Sequence, residues 1–224
     1  MRKGFTLAEV LITLGIIGVV AAMTIPTLIN SYQKKVAAVR LEHAYSVVAQ
    51  AIKLSETENG PMEDWIVESL EEDAPTGTSE KITGAFVKRY IQPYLKDVNE
   101  DLMPTSSMPY DYYYYTRNGE LASGGGHTHY SFALMNGTYL HFNANYNNSK
   151  NIELRIDING MQKPNVIGRD NFFARFYPKF EFVGNEQTRE RALELCKGET
   201  RNHQMYCGSV IQKDGWEIKK DYPW

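Results

Sequence analysis

Residues 5–29 form an almost unbroken apolar stretch whose one charge is Glu9. A membrane-spanning helix needs ~20 apolar residues, so this stretch is long enough to cross a bilayer. Arg2 and Lys3 precede it. The bias of basic residues toward the cytoplasmic side places the remainder of the chain outside. Beyond residue 33 the pattern turns amphipathic: Val36, Val39, Leu41, Tyr45, Val47, Val48, Ala51 and Ile52 recur among Lys, Arg, Glu and Gln. That spacing is close to a helical repeat with one apolar stripe, and Asn59-Gly60-Pro61 stops it. The pattern predicts one helix over about 5–58, bent or loosened at Pro26, where the ring removes a backbone bond. Its first half suits a membrane, and its second half lays the stripe on a sheet.

The acidic stretch 61–80 predicts a short helix over 63–71 and then a loop. A second helix over 82–98 carries Phe86, Val87, Tyr90, Ile91 and Leu95 and is kinked or split at Pro93. A loop follows over 101–109. From residue 110 the period becomes two. Residues 111–117 include four tyrosines in a row and are β-prone, and Asn118-Gly119 is a hairpin turn signal. Gly124, Gly125 and Gly126 break the run. Strands over 129–135 and 139–143 flank a second hairpin turn at Asn136-Gly137. In 152–158, Ile152, Leu154, Ile156 and Ile158 alternate with Glu153, Arg155 and Asp157, which predicts one apolar and one polar face. Residues 172–183 read as strand interrupted by Pro178. Asn185 is the expected cap of a helix over 186–196, and 206–212 and 216–219 close the domain. A long amino-terminal helix followed by antiparallel strands predicts an α+β head over 59–224.

The chain has 224 residues and a net charge of −3. That length fits one membrane helix and one soluble domain large enough to bury a core. The near-neutral charge offers no electrostatic footprint for nucleic acid. Cys196 and Cys207 lie close together in what should be an oxidising compartment. They are a candidate disulfide, worth about 2–3 kcal/mol for so short a loop, or else a pair of free thiols. No Gly-rich phosphate loop, His-Glu-x-x-His or nucleophile elbow is present, and the two cysteines are not in a Cys-x-x-Cys arrangement. Enzymatic activity is therefore not expected.

Glu9 separates three readings of the apolar stretch. A secretory signal would have a shorter apolar centre and a small-residue cleavage site, and Ala21-Ala22-Met23 is a poor one. A plain anchor leaves Glu9 unexplained, because an acid in the apolar part of a membrane helix costs about 2.5–3.5 kcal/mol and marks a functional site. Glu9 lying near the interface is the bland alternative. The third reading gives Glu9 a partner.

The run Arg2-Lys3-Gly4-Phe5-Thr6-Leu7-Ala8-Glu9-Val10-Leu11 resembles the amino-terminal signature of type IV prepilins and of type II secretion pseudopilins. The resemblance implies a leader of residues 1–4, cleavage after Gly4 by a prepilin peptidase, and N-methylation of Phe5. It also implies Glu9 as the assembly residue, Pro26 in the assembly helix 5–29, an amphipathic continuation over 30–58, and a pilin-like α+β head. The freed amine of Phe5 can pair with Glu9 of a neighbouring subunit, so that two costly buried charges compensate one another. Gly15, Gly18, Ala21 and Ala22 permit close helix approach, or simply reflect the small residues common in membrane helices. The implied partners are other pilin or pseudopilin subunits, and the implied location is the bacterial inner membrane, then a pilus or pseudopilus fibre. A membrane-anchored extracytoplasmic binding or adhesion module that does not polymerise is the alternative.

In the head, Asp157, Asn159, Asn165 and Asp170 punctuate a Gly- and Pro-containing loop, and their oxygens are candidate calcium ligands. The resemblance favours this, since some pseudopilins carry a calcium loop. Lys163 and Arg169 weaken the local field, and a pair of turns with Asp170 bonding its own backbone is the competing reading. His127, His129 and His141 could conceivably meet a zinc ion but lack a fourth ligand. The run Tyr112, Tyr113, Tyr114 and Tyr115 is expected to alternate between core and interface rather than to form a stacking platform. Asn136-Gly137-Thr138 and Asn147-Asn148-Ser149 match the glycosylation pattern weakly.

Overall fold

A helix of 53 residues, α1 (Leu7–Asn59), opens the computed structural model and passes through Pro26 without interruption. The structure describes residues 6–66, 78–99, 113–124, 130–144 and 151–224. The chain divides into two compact units, 1–36 and 37–224.

The first unit is helix alone. Its large side chains lie exposed, from Leu7 through Leu11, Ile12, Ile16 and Ile17 to Leu28 and Ile29. The helix is long and apolar enough to cross a membrane.

In the second unit, α1 buries Ala37, Ala38, Leu41, Ala44, Val48, Ala51, Ile52 and Ser55. These recur at steps of three and four, which keeps them on one face. Val39 is exposed, because it sits about 200° round the helix from Ala37. Four alanines, Ala37, Ala38, Ala44 and Ala51, stand on the buried face instead. Gly60, with φ +78°, follows the helix in the left-handed conformation suited to its end. A 3₁₀ turn (Met62–Asp64) stands where the sequence suggested a helix over 63–71, and residues 67–71 lie outside the described residues. The second helix, α2 (Thr78–Tyr90), ends before Pro93, which sits in a 3₁₀ turn (Gln92–Tyr94). The proline thus splits the apolar run as expected.

Among the described residues seven strands follow: β1 (Tyr113–Tyr115), β2 (Leu121–Gly124), β3 (Tyr130–Ala133), β4 (Tyr139–Ala144), β5 (Ile152–Asp157), β6 (Asn171–Tyr177) and β7 (Glu181–Phe182). The first two form an antiparallel ribbon, and the others form an antiparallel sheet in the order β3-β4-β5-β6-β7. Both Asn-Gly pairs make hairpin turns, with Gly119 and Gly137 at φ +84° and +82°. Pro178 lies between β6 and β7. One sheet face, with Phe132, Phe142, Leu154, Ile156, Phe172, Phe176 and Phe182, forms the core with α1 and α2. Full burial of one such side chain is worth about 1.5–3 kcal/mol.

The opposite sheet face carries the polar residues of the alternation, as expected, but is covered: Arg155 and Asp157 are 4% and 0% exposed. The ribbon covers it: Tyr114 packs on Phe173, and the Arg155 guanidinium lies over the Tyr114 ring at 4.5 Å. Tyr114 is buried while Tyr113 and Tyr115 are exposed, so the ring alternation holds for these three. Tyr112 lies outside the described residues.

Three helices close the chain: α3 (Arg189–Cys196), α4 (Arg201–Gln204) and α5 (Cys207–Lys213). The cap of α3 is Thr188, whose hydroxyl accepts the Arg191 amide, and not Asn185. Asn185 instead sits in the turn after β7, where its amide bonds to Phe182 O. The helix therefore starts three residues later than the sequence suggested.

Candidate functional site

Thr6 and Glu9 close the amino-terminal end of α1 on itself. The Thr6 amide and hydroxyl both donate to Glu9 Oε2 at 2.8 Å. The Glu9 amide donates back to Thr6 Oγ1 at 3.3 Å. This reciprocal arrangement is a capping box, which satisfies otherwise orphaned donors of the first turn. The acid also stands where the helix dipole favours negative charge. Gly4 and Phe5 lie outside the described residues.

Further along this unit, a methyl group built on Gly15 or Gly18 would find nothing within 4 Å. Ala22 is exposed and Ala21 half-buried. The apolar side chains around them are likewise uncovered, so this helix offers surface rather than a site closed within the chain.

The loop between β5 and β6 brings Asp157, Asn159, Asn165 and Asp170 together. Asp170 accepts the amides of Asn165, at 2.8 Å, and Val166, together with the side-chain amides of Asn171 and Asn159. Burial pushes its carboxyl above the usual range, against the pull of those four bonds. The Asn159 side-chain nitrogen is ringed by Gln162 O, Lys163 O and Asp170 Oδ2 at 2.9, 3.3 and 3.3 Å. Its backbone amide bonds to Asp157 Oδ1 at 3.2 Å. The side-chain oxygens of Asn159 and Asn165 are buried without a hydrogen-bond partner. Arg169, expected to weaken the field here, lies over the Trp224 ring. Three oxygens thus converge on the Asn159 NH₂ group, and two amide oxygens of the same loop are orphaned; oxygen is the atom type a hard cation takes.

At the other candidate positions the structure is more conservative. Cys196 and Cys207 are disulfide-bonded and fully buried. Arg117, at the β1–β2 turn, donates to Cys196 O, Gly198 O and Pro223 O, which ties the ribbon to this carboxy-terminal region. His141 is buried against Ser131, with Nδ1 2.8 Å from the hydroxyl. His127 and His129 lie outside the described residues. Among the described residues no three His, Cys, Asp or Glu side chains are grouped to hold a metal.

The sequence reading missed Thr6. The Thr-x-x-Glu spacing ahead of an apolar run is a capping-box signal, and it was visible at residues 6–9.

A profile described as the prokaryotic N-terminal methylation motif matches residues 1–25, and it supports a precursor of the type IV pilin or pseudopilin kind. No curated protein and no solved structure matches the chain. A second profile matches residues 27–224, so the chain belongs to the family of unknown function DUF6613, here headed by a methylation motif.

Proposed function

We propose that this chain is a structural subunit of a type IV pilus or of a type II secretion pseudopilus. It is cleaved after Gly4 by a prepilin peptidase, methylated on Phe5, held in the inner membrane by α1, and polymerised through that helix with other pilin or pseudopilin subunits. The observation that carries this reading is an apolar helix with no cover of its own, headed by the methylation motif. Both Thr6 bonds fall on Glu9 Oε2. Glu9 Oε1 is the atom we assign to the amine of a neighbouring subunit. The capping box keeps the carboxylate solvated by its own helix until that amine arrives, which lowers the cost of waiting in lipid. Mass spectrometry of the mature amino terminus tests the processing step. A chain starting at methylated Phe5 supports the reading, and a chain still starting at Met1 in sheared surface fibres overturns it.

We propose further that the β5–β6 loop takes calcium through Asp157, Asn159, Asn165 and Asp170. The orphaned oxygens of Asn159 and Asn165 support this. Calorimetric titration of the full chain in detergent should show heat with Ca²⁺ and a raised Tm. No heat and an unchanged Tm would leave the Asn159 amide as the permanent occupant of that ring of oxygens.

A further inference from the structure

His43 stands on α1 within the 37–224 unit and touches two other segments. Its Nε2 lies 3.2 Å from Asp97 Oδ2, and its Nδ1 lies 3.2 Å from Asn136 Nδ2. The surroundings decide the tautomer. Asn136 Oδ1 accepts the Thr138 amide at 3.0 Å inside the β3–β4 turn. That bond fixes which end of the Asn136 amide faces His43, and it is the NH₂ end. An NH₂ group only donates, so Nδ1 must accept. The ring proton therefore sits on Nε2, where Asp97 receives it.

A second ring proton would go to Nδ1 and set two donors face to face. The contact with Asn136 then breaks, or the Asn136 amide turns over and withdraws its oxygen from Thr138. The contact with Asp97 gains charge instead. Asp97 belongs to a segment that pairs with the end of β3, through Asn99 N to Ala133 O and Met135 N to Asp97 O at 2.8 and 3.1 Å. The β3–β4 turn, 134–138, carries no charged residue. On α1 itself, Arg40 one turn away commits its guanidinium to Ile158 O at 3.1 Å, and the exposed Glu42 adjoins His43 in sequence.

We propose that His43 is an acid-operated selector between these two segments. Neutral, it holds both the β3–β4 turn and Asp97. Protonated, it gives up the turn and keeps Asp97, which loosens the tie between α1 and the hairpin tip.

NMR of the full chain in detergent micelles, with ¹⁵N-labelled histidine, tests this. At about pH 7.5 the His43 ring should report the Nε2–H tautomer. At about pH 5, Thr138 amide exchange should quicken about two- to fivefold beyond its intrinsic pH dependence, the size of one partly exposed hydrogen bond. His43→Gln should keep the fold's signals and lose the acid response, and Asn136→Ala should lose it too. An Nδ1–H tautomer at neutral pH overturns the proposal, and so does an undiminished acid response in His43→Gln.

Discussion

The two halves of α1 share apolar residue types that meet opposite fates. Leu11 and Ile16 are 61% and 60% exposed, while Leu41 and Ile52 on the same helix are 0% and 7% exposed. Helix propensity cannot distinguish them, since Leu and Ile are helix-compatible in both places. The difference is what covers them. Residues 37–59 find Phe132, Phe142 and Phe176 within the chain. The large apolar side chains of residues 7–29 lie exposed, and such a surface needs lipid or another molecule. The glycines repeat the contrast: Gly15 and Gly18 have open space around them, whereas Gly208 has the Phe182 ring against it. In the second unit the missing side chain makes room for a ring of the same chain, and in the first it leaves open space.

Substitutions that act on one unit alone sharpen this contrast, and the largest effect should come from Glu9. Glu9→Ala should leave processing nearly intact and abolish fibres, read by immunogold labelling of sheared material. Next comes a matched glycine pair. A Cβ on Gly208 would lie 2.5 Å from the Phe182 ring, so Gly208→Ala should lower stability by about 1–3 kcal/mol, the usual cost of overpacking. Gly15→Ala should leave stability unchanged and act only on assembly. Denaturation of the full chain in detergent, followed by fluorescence, separates the two, because Trp65, Trp216 and Trp224 all lie in 37–224. Equal losses from both variants would break the comparison. Replacing both Cys196 and Cys207 by alanine should cost about 2–3 kcal/mol in the same assay without affecting insertion of the apolar helix.

The smallest effect is a pH dependence confined to the head. Burial alone would push the Asp214 carboxyl up, but bonds from Arg189 and Lys219 outweigh it and hold the group below its usual range. Asp221 is lowered as well, chiefly by its bond to Arg189. A folded pKa below the unfolded one contributes stability above the ordinary Asp value of about 3.9, and that contribution is lost as pH falls through the lowered one. Asp170 and Glu153, both raised first by burial, act in the opposite sense and are common to both chains compared. Arg189→Ala should therefore lose stability at neutral pH and show a flatter acid limb than the parent chain. An unchanged acid limb would mean that the Arg189 network is not what titrates.

Much of this architecture was legible because its signals are local. The long apolar run, the stop at Asn59-Gly60-Pro61, the two Asn-Gly turns and the breaks at Pro93 and Pro178 each depend on a few neighbouring residues. The disulfide was legible from two cysteines 11 residues apart. What escaped depends on distant partners. Arg155 and Asp157 alternate like a solvated strand face, yet a ribbon some forty residues earlier in the chain covers them. Asn185 and Thr188 are both good caps, and only the path of the chain out of β7 chooses between them. The stretch 206–212 is too short to separate a period of two from one of 3.6, and it forms α5. At the candidate sites, the sequence named Glu9 but not the Thr6 bonds that hold it.

A density map of assembled fibres probes the unit at 7–36 most directly. It should place Glu9 Oε1 within hydrogen-bond distance of the amine of Phe5 on a neighbouring subunit, with the apolar helices packed side by side. A map in which Glu9 faces water, or in which residues 1–4 are still attached, would contradict it.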